Sequence, residues 1–299
     1  MINNVKSYLS IVNQRESDRW HAWSLYREKL TYEVVKVLSA SKHRDLLIIG
    51  SGSLDDLDMN QIIPKSKIIS FLDLDMDSTQ NGLVRQKISS HDMIFIEQDI
   101  TRFDDVEFFS QWHTFMLQNP TLEETFSFIE DQIKKVFAQH FQMNILKTYD
   151  VVVVLPIYTQ LIYHEWVQLI EEHFPKSWSK EELEKMKSYI LDLMVPLMNH
   201  VNEGIKACVK PSGQIIAFSD LLEWNIHDFH VFEKAHPSLS EHDFMAYYQS
   251  YLNQYGMGLG DFGLWSLKDQ LHFEGSKLML WPFSSERMML VQMMILFKS

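Results

Sequence analysis

Two glycines one residue apart close a short apolar run in DLLIIGSGSLDD, residues 45–56, and two carboxylates follow at once. A strand that turns into a helix through Gly50 and Gly52 brings its backbone close to a ligand, because glycine has no Cβ to hold the ligand off. A dinucleotide site on such a turn asks for GxGxxG and for a helix start free of negative charge beside the pyrophosphate. Here the third glycine position is Asp55, with Asp56 behind it. Two carboxylates repel a pyrophosphate in a partly dry site and attract a cation. The plainer role for either residue is to cap the following helix, and the two roles are compatible.

A cationic nucleoside suits this turn. S-adenosylmethionine carries a sulfonium and an ammonium and no phosphate, so it is the expected cofactor. The next segment, IISFLDLD, puts Asp73 at a strand end, 23 residues after Gly50. An acid at that spacing is placed to accept both hydroxyls of an adenosine ribose. Asp75 competes for the role, since side chains two apart on a strand share a side, and Asp77 is a candidate cap for the next helix. In MIFIEQDITRF, Asp99 follows a third strand, where a carboxylate can accept from an adenine amino group while Ile100 packs on the ring. In VVVVLPIYTQLIY, Pro156 ends a strand because it has no N–H for the ladder. Tyr158, Tyr163 and His164 emerge beyond it. Tyr158 and His164 are the candidate catalytic groups, with plain packing as the alternative role.

These segments need a sheet to bring them together. The strands are read at Leu46–Ile49, Lys67–Leu72, Met93–Glu97, Asp150–Leu155 and Gln214–Phe218, with a terminal antiparallel pair at Lys277–Trp281 and Arg287–Phe297. DVVVVL is β-branched and apolar on both faces, as a central parallel strand should be. Residues 2–40 read as helical, with Leu30, Val34, Val35 and Leu38 on one face. Three intervals, 102–149, 164–211 and 219–276, are longer than simple crossovers need. Each holds a helical pattern: from Leu122 to Phe141 behind Thr121 and Glu124, from Ser179–Glu182 onward, and around Glu241–Leu252. They either line a pocket above the carboxyl edge of the sheet or merely thicken the fold. The predicted domains are a helical N-terminal extension, 1–44, and an α/β domain, 45–299.

Composition narrows the function further. With 27 basic and 40 acidic residues among 299, the net charge is −13, which disfavours a nucleic acid partner. A single cysteine, Cys208, excludes an intramolecular disulfide and suits a reducing cytoplasm. The start, MINNVKSYLSIVNQRESDRW, lacks the apolar core of a signal peptide, and no run approaches the ~18 apolar residues of a membrane span. A cytoplasmic location away from the membrane is therefore expected. WNIHDFHVFEKAH, with Trp224, His227, His230 and His236, lacks a second carboxylate–histidine pair, so no metal site is expected. GxSxG, Walker and HExxH patterns are absent. RWHAWSLYREKLTYE crowds Trp20, Tyr26 and Arg27 together; they either grip an anionic acceptor or pack on the domain.

Taken together, IIGSGSLDD, FLDLD, EQDI and DVVVVLPIY resemble the class I S-adenosylmethionine-dependent methyltransferases over roughly residues 45–299, inserts aside. The resemblance implies a Rossmann-like α/β fold: a seven-stranded, mostly parallel sheet with an antiparallel last strand. It implies that Gly50 and Gly52 line the methionine moiety, that Asp73 holds the ribose and Asp99 the adenine. Ser51, Asp55, Leu74, Ile100 and Leu155 complete the expected cofactor contacts. Trp20, Tyr26, Arg27 and Tyr158 are the expected acceptor contacts. Ile48 stands where the family often has an acid, and Leu54 where it often has a third glycine. Leu155-Pro156-Ile157-Tyr158 lacks the Asn/Asp-Pro-Pro-Tyr/Phe of amino-methylating nucleic-acid enzymes, so base methylation is not implied. The expected activity is methyl transfer to a small-molecule or peptide acceptor. A non-catalytic module of the same fold and a nicotinamide-dependent oxidoreductase are the alternatives, and the sequence leaves the oligomeric state open.

Overall fold

The computed structural model describes residues 6, 18–40, 44–138 and 147–298, the side chain of His173 excepted. Seven strands form one sheet: β1 (Arg44–Ile49), β2 (Ser66–Asp73), β3 (Met93–Glu97), β4 (Tyr149–Val154), β5 (Val209–Asn225), β6 (His272–Trp281) and β7 (Arg287–Phe297). Their order is β3-β2-β1-β4-β5-β7-β6. The first five are parallel, and β7 runs antiparallel to both β5 and β6. This is the Rossmann-like α/β fold, with the reversed strand that the terminal hairpin foretells. The strand order reverses between β1 and β4, and ligands of such sheets bind outside the carboxyl ends at that crevice.

The apolar character of β4 has the reason given above. Val151, Val152, Val153 and Val154 are all fully buried, because helices cover both faces. β5 runs seven residues past its expected end at Phe218, since β7 pairs with it as far as Asn225. That extension carries Asp220 beyond the sheet's parallel part.

The helices are α1 (Arg19–Ala22) and α2 (Ser24–Ser39) before β1; α3 (Met59–Ile62) and α4 (Met76–Arg85) around β2; α5 (Phe108–Met116) and α6 (Leu122–Ala138) before β4; α7 (Tyr163–His173) and α8 (Lys180–Ala207) before β5; and α9 (Ile226–Ala235), α10 (Glu241–Tyr255) and α11 (Leu259–Asp269) before β6. Three starts carry reciprocal caps. Thr121 pairs with Glu124, Ser179 with Glu182 and Ser240 with Asp243, each serine or threonine hydroxyl accepting from the N3 backbone N–H. The expected end of α6 at Phe141 lies outside the described residues, as do residues 1–5 and 7–17 of the expected first helix.

On α2, Leu30, Val34 and Leu38 are fully buried, but Val35 is only partly so, and Val37 is buried instead. The same core holds Leu46, Ile48, Val151, Val153 and Ile216, so this helix packs directly on the sheet. The interval 102–149 thickens the fold: Phe108, Trp112 and Ile129 join Val152 and Trp166 in the core on the other face. The interval 219–276 instead borders an open cavity, described next.

Candidate functional site

A cleft lies at the carboxyl ends of β1, β2 and β3. Gly50, Gly52, Leu72, Asp73, Leu74, Gln98, Asp99, Ile100, Thr101, Ile157, Gln160, Leu161 and Ile162 line it. It encloses about 630 Å³, the open solvent at its mouth included. Gly50 (φ 75°) and Gly52 (φ 45°) take left-handed conformations, which glycine adopts without a Cβ penalty. A Cβ on Gly50 would lie 2.2 Å from Ile157 Cγ2, so the turn is pressed against the segment after β4.

Asp73 is built into this turn. Its Oδ2 accepts from Gly52 N–H at 2.7 Å and its Oδ1 from Asp75 N–H at 2.8 Å. A carboxylate offers about four lone-pair sites, so two remain for a ligand diol. Burial pushes the Asp73 carboxyl above its usual range, opposed by those backbone donors. Asp75 takes a different role. It caps α4, accepting from Ser78 N–H at 3.2 Å and Ser78 Oγ at 2.6 Å, which displaces Asp77 from the expected capping position.

Asp99 organises the next turn. Its Oδ1 accepts from Thr101 N–H (2.8 Å) and Thr101 Oγ1 (2.6 Å), and its Oδ2 from Asp104 N–H (3.0 Å). With about four sites in all, one remains on Oδ2 for a single ligand N–H. Burial raises this carboxyl as well.

Several expected contacts lie elsewhere. Asp55 is buried away from the cleft, 2.8 Å from the Arg85 guanidinium. Asp56 also lies outside the cleft lining; burial, then Asp55, pushes its carboxyl up to about 7, opposed by Arg19 and Arg27. The charge that faces a ligand therefore comes from Asp73 and Asp99, and among the described residues no basic side chain lines the cleft. Ser51 is buried against Thr79, Oγ to Oγ1 at 2.7 Å, and Leu155 is in the core.

Trp20, Tyr26 and Arg27 line neither this cleft nor the cavity beside it. The Arg27 guanidinium sits 3.5 Å over the Trp20 ring and donates to the carbonyls of Asp55 (3.1 Å) and Trp20 (2.7 Å). Tyr26 is fully buried and stacks on Trp281 at 5.2 Å. Tyr158 is likewise structural. Its hydroxyl donates to Asn202 Oδ1 at 2.7 Å, its ring packs against Gly263, and burial drives its ionisation well above the usual range. Tyr26 and Tyr158 are thus enclosed by segments distant in sequence, and Trp20 is partly exposed with Arg27 and Arg85 over its ring.

A second cavity adjoins the first, and Gln160 lines both. Thr159, His164, Asp220, Leu221, Leu222, Glu223, Tyr251, Gly258, Leu259, Gly260, Trp281, Phe283, Arg287 and Met289 complete its wall, around about 920 Å³, the open solvent at its mouth included. His164 is thus at a site, and burial holds its imidazole below the usual range. Thr159 Oγ1 donates to Asp220 Oδ1 at 2.9 Å. Asp220 was legible only as the acid in the stretch FSD; nothing in its spacing tied it to the glycine turn. Gln98, Thr101, Gln160, Leu161 and Ile162 also carried no signal apart from neighbouring the motifs.

His227, His230 and His236 do not converge. His230 pairs with Glu233 at 3.2 Å and His236 with Asp243 at 3.3 Å, while Trp224 packs in a core. Among the described residues, no group of three or more histidine, cysteine or acidic side chains is placed to hold a metal ion. Nor is any described helix long and apolar enough to cross a membrane.

No protein-family model matches the chain. No curated protein matches it either. Solved structures do. The chain is similar to the N-methyltransferase NodS from Bradyrhizobium japonicum WM9 in complex with S-adenosyl-L-homocysteine, at 11% identity and a TM-score of 0.47, over 97% of this chain and 98% of that one. It is also similar to magnesium protoporphyrin IX methyltransferase (ChlM) from Synechocystis PCC 6803 with the same bound product, at 10% identity and a TM-score of 0.45, over 99% and 100%. TehB from Haemophilus influenzae matches at 8% identity and a TM-score of 0.42, over 90% of this chain and 62% of that one.

Proposed function

We propose that the protein transfers a methyl group from S-adenosylmethionine to a small-molecule acceptor held in the second cavity. One observation carries this reading: among the described residues, the cleft at the strand-order reversal presents two carboxylates and no basic side chain, and it shares Gln160 with a second cavity. That donor set fits a ribose diol, an amino group and a positive charge, and it opposes a pyrophosphate. Asp73 would hold the ribose hydroxyls, Asp99 and Ile100 the adenine, and Gly50 and Gly52 the methionine portion. Leu74 and Ile162 would exclude water from the nucleoside. When bound, the cofactor supplies an electrophilic methyl on a sulfonium, whose C–S bond breaks with its electron pair left on sulfur. The chain's own task is to align the acceptor and keep water out.

Calorimetric titration with S-adenosylhomocysteine and, separately, with NADH tests this. Binding of the first alone is expected. Binding of NADH alone would replace the reading with a nicotinamide enzyme, and binding of neither would favour a scaffold.

A further inference from the structure

The second cavity has a chemistry of its own. Its wall includes the carboxylate of Asp220, in the extended part of β5. Thr159 fixes that carboxylate from one side. Behind it Asp261 is fully buried, accepting from Gly258 N–H at 3.1 Å and from the Tyr248 hydroxyl. Arg287, the guanidinium in the wall among the described residues, is already engaged: it lies 3.3 Å from Glu223 and 4.6 Å over the Phe283 ring. Among the described residues no lysine lines the cavity, so Asp220 faces it with no other cation from them in the wall.

The same wall is also aromatic. Trp281 and Phe283 meet edge to face at 5.0 Å, and Tyr251 and Met289 extend the surface. Trp281 is held from behind by Tyr26 and, at 4.8 Å, by Trp23. Trp23 Nε1 also donates to the Phe283 carbonyl at 3.2 Å. The aromatic N-terminal helices therefore act through this wall and do not touch the cavity themselves. A carboxylate and aromatic side chains in the wall of one cavity favour an organic cation, because aromatic rings carry a negative face.

Resting on the methyl-transfer reading, we propose that this cavity takes its acceptor as an amine on an aromatic or otherwise flat apolar body, with the nitrogen at Asp220. The bonds balance. The bound ammonium gives one proton to the Asp220 carboxylate, and the freed nitrogen lone pair forms the N–C bond as the methyl leaves sulfur. The product is an N-methylammonium whose charge comes from the sulfonium, and Asp220 returns its proton to solvent. A carboxylate or phosphate acceptor would meet Asp220 and Glu223, with Arg287, the guanidinium among the described residues of the wall, already paired. A hydroxyl acceptor would find no lysine among the described residues of the wall to stabilise an alkoxide.

Three isosteric probes test the cavity directly by calorimetry without cofactor: 2-phenylethylamine, 3-phenylpropionate and 2-phenylethanol. The amine is expected to bind at least about tenfold more tightly than either of the others, as one charge-assisted contact implies. Asp220→Asn should abolish that preference and leave the affinity for S-adenosylhomocysteine unchanged. Equal or tighter binding of the acid or the alcohol, no detectable binding of the amine, or an amine affinity indifferent to Asp220→Asn would overturn the proposal. The three-probe comparison on the unaltered protein decides the matter even if the variant fails to fold. Loss of S-adenosylhomocysteine binding in the unaltered protein would instead defeat the cofactor reading, and the two failures are read from separate titrations.

Discussion

Replacing Asp73 by asparagine probes the cofactor cleft with the least change of shape. Asp73 accepts two backbone N–H groups, from Gly52 and Asp75, and in the proposed complex it also accepts two ribose hydroxyls. The amide nitrogen of asparagine cannot accept, so one of the backbone donors loses its partner and at least one hydroxyl contact goes with it. A hydrogen bond to a charged group is worth roughly 1.5–3 kcal/mol. Loss of one to the ligand therefore weakens S-adenosylhomocysteine binding by roughly tenfold to a hundredfold, at about 1.4 kcal/mol per decade. Loss of one to the backbone costs about 1–2 kcal/mol of stability, which leaves the fold in place. Asp73→Ala removes every acceptor and should do more on both counts. Calorimetry gives the affinity and urea unfolding the stability. A folded Asp73→Asn protein with unchanged affinity would refute the ribose assignment.

Two further substitutions separate chemistry from packing. Tyr158→Phe removes the hydroxyl bound to Asn202 and leaves a fully buried amide oxygen short of its donor. It should cost about 1–3 kcal/mol in urea unfolding while S-adenosylhomocysteine affinity stays within a factor of about three. Glu165 is 1% exposed, and among the described residues no other residue gives either of its oxygens a hydrogen bond. Burial, with Asp99 adding to it, pushes its carboxyl up to about 7. The folded state then holds this proton more tightly than the unfolded chain, so the stability it contributes is present at low pH and is lost as pH rises through about 7. At about 1.4 kcal/mol per unit the loss is at most roughly 3 kcal/mol. Glu165→Gln should flatten the fall in stability between pH 5 and pH 8 and raise stability at pH 8. An identical pH profile in the variant would count against it.

The strands were legible because their signals are local. β3 and β7 begin and end where alternation and turn residues place them, and β4 announces itself by four consecutive valines. The glycine turn, Asp73 and Asp99 were legible because their spacing is set by one β-α-β crossover after another. The acidic pair misled. Asp55 pairs with Arg85, 30 residues on, at the end of a helix whose facing side no local pattern reveals. Tyr158 misled for the same reason, since Asn202 and Gly263 enclose it from 44 and 105 positions away. The second cavity is drawn from the segment after β4, from the extended part of β5 and the segment after it, from the end of β6 and the turn beyond it, and from the start of β7. No single stretch of sequence carries its pattern.

Leu54 shows how a departure from a motif can leave the motif's geometry intact. The position asks for a left-handed residue, and Leu54 adopts φ 54° there, with its N–H donating to Ser51 O at 2.9 Å. An L-residue in that conformation costs about 1–2 kcal/mol relative to glycine. Leu54 is also fully buried in the core beneath α2, and burying a leucine returns roughly 1.5–3 kcal/mol. The two terms nearly cancel, and the balance favours leucine wherever the space behind the turn must be filled. Gly82 provides that space: a Cβ there would lie 2.2 Å from Ser53 O and 3.0 Å from Leu54 Cβ. The missing glycine of the turn is thus offset by one on α4, so the absence of a third glycine is no argument against a nucleoside at Gly50 and Gly52. The electrostatic case for a cationic ligand survives in the same way. It passes from Asp55 and Asp56, which the arginines around them hold, to Asp73 and Asp99, which face a cleft that no basic side chain among the described residues lines.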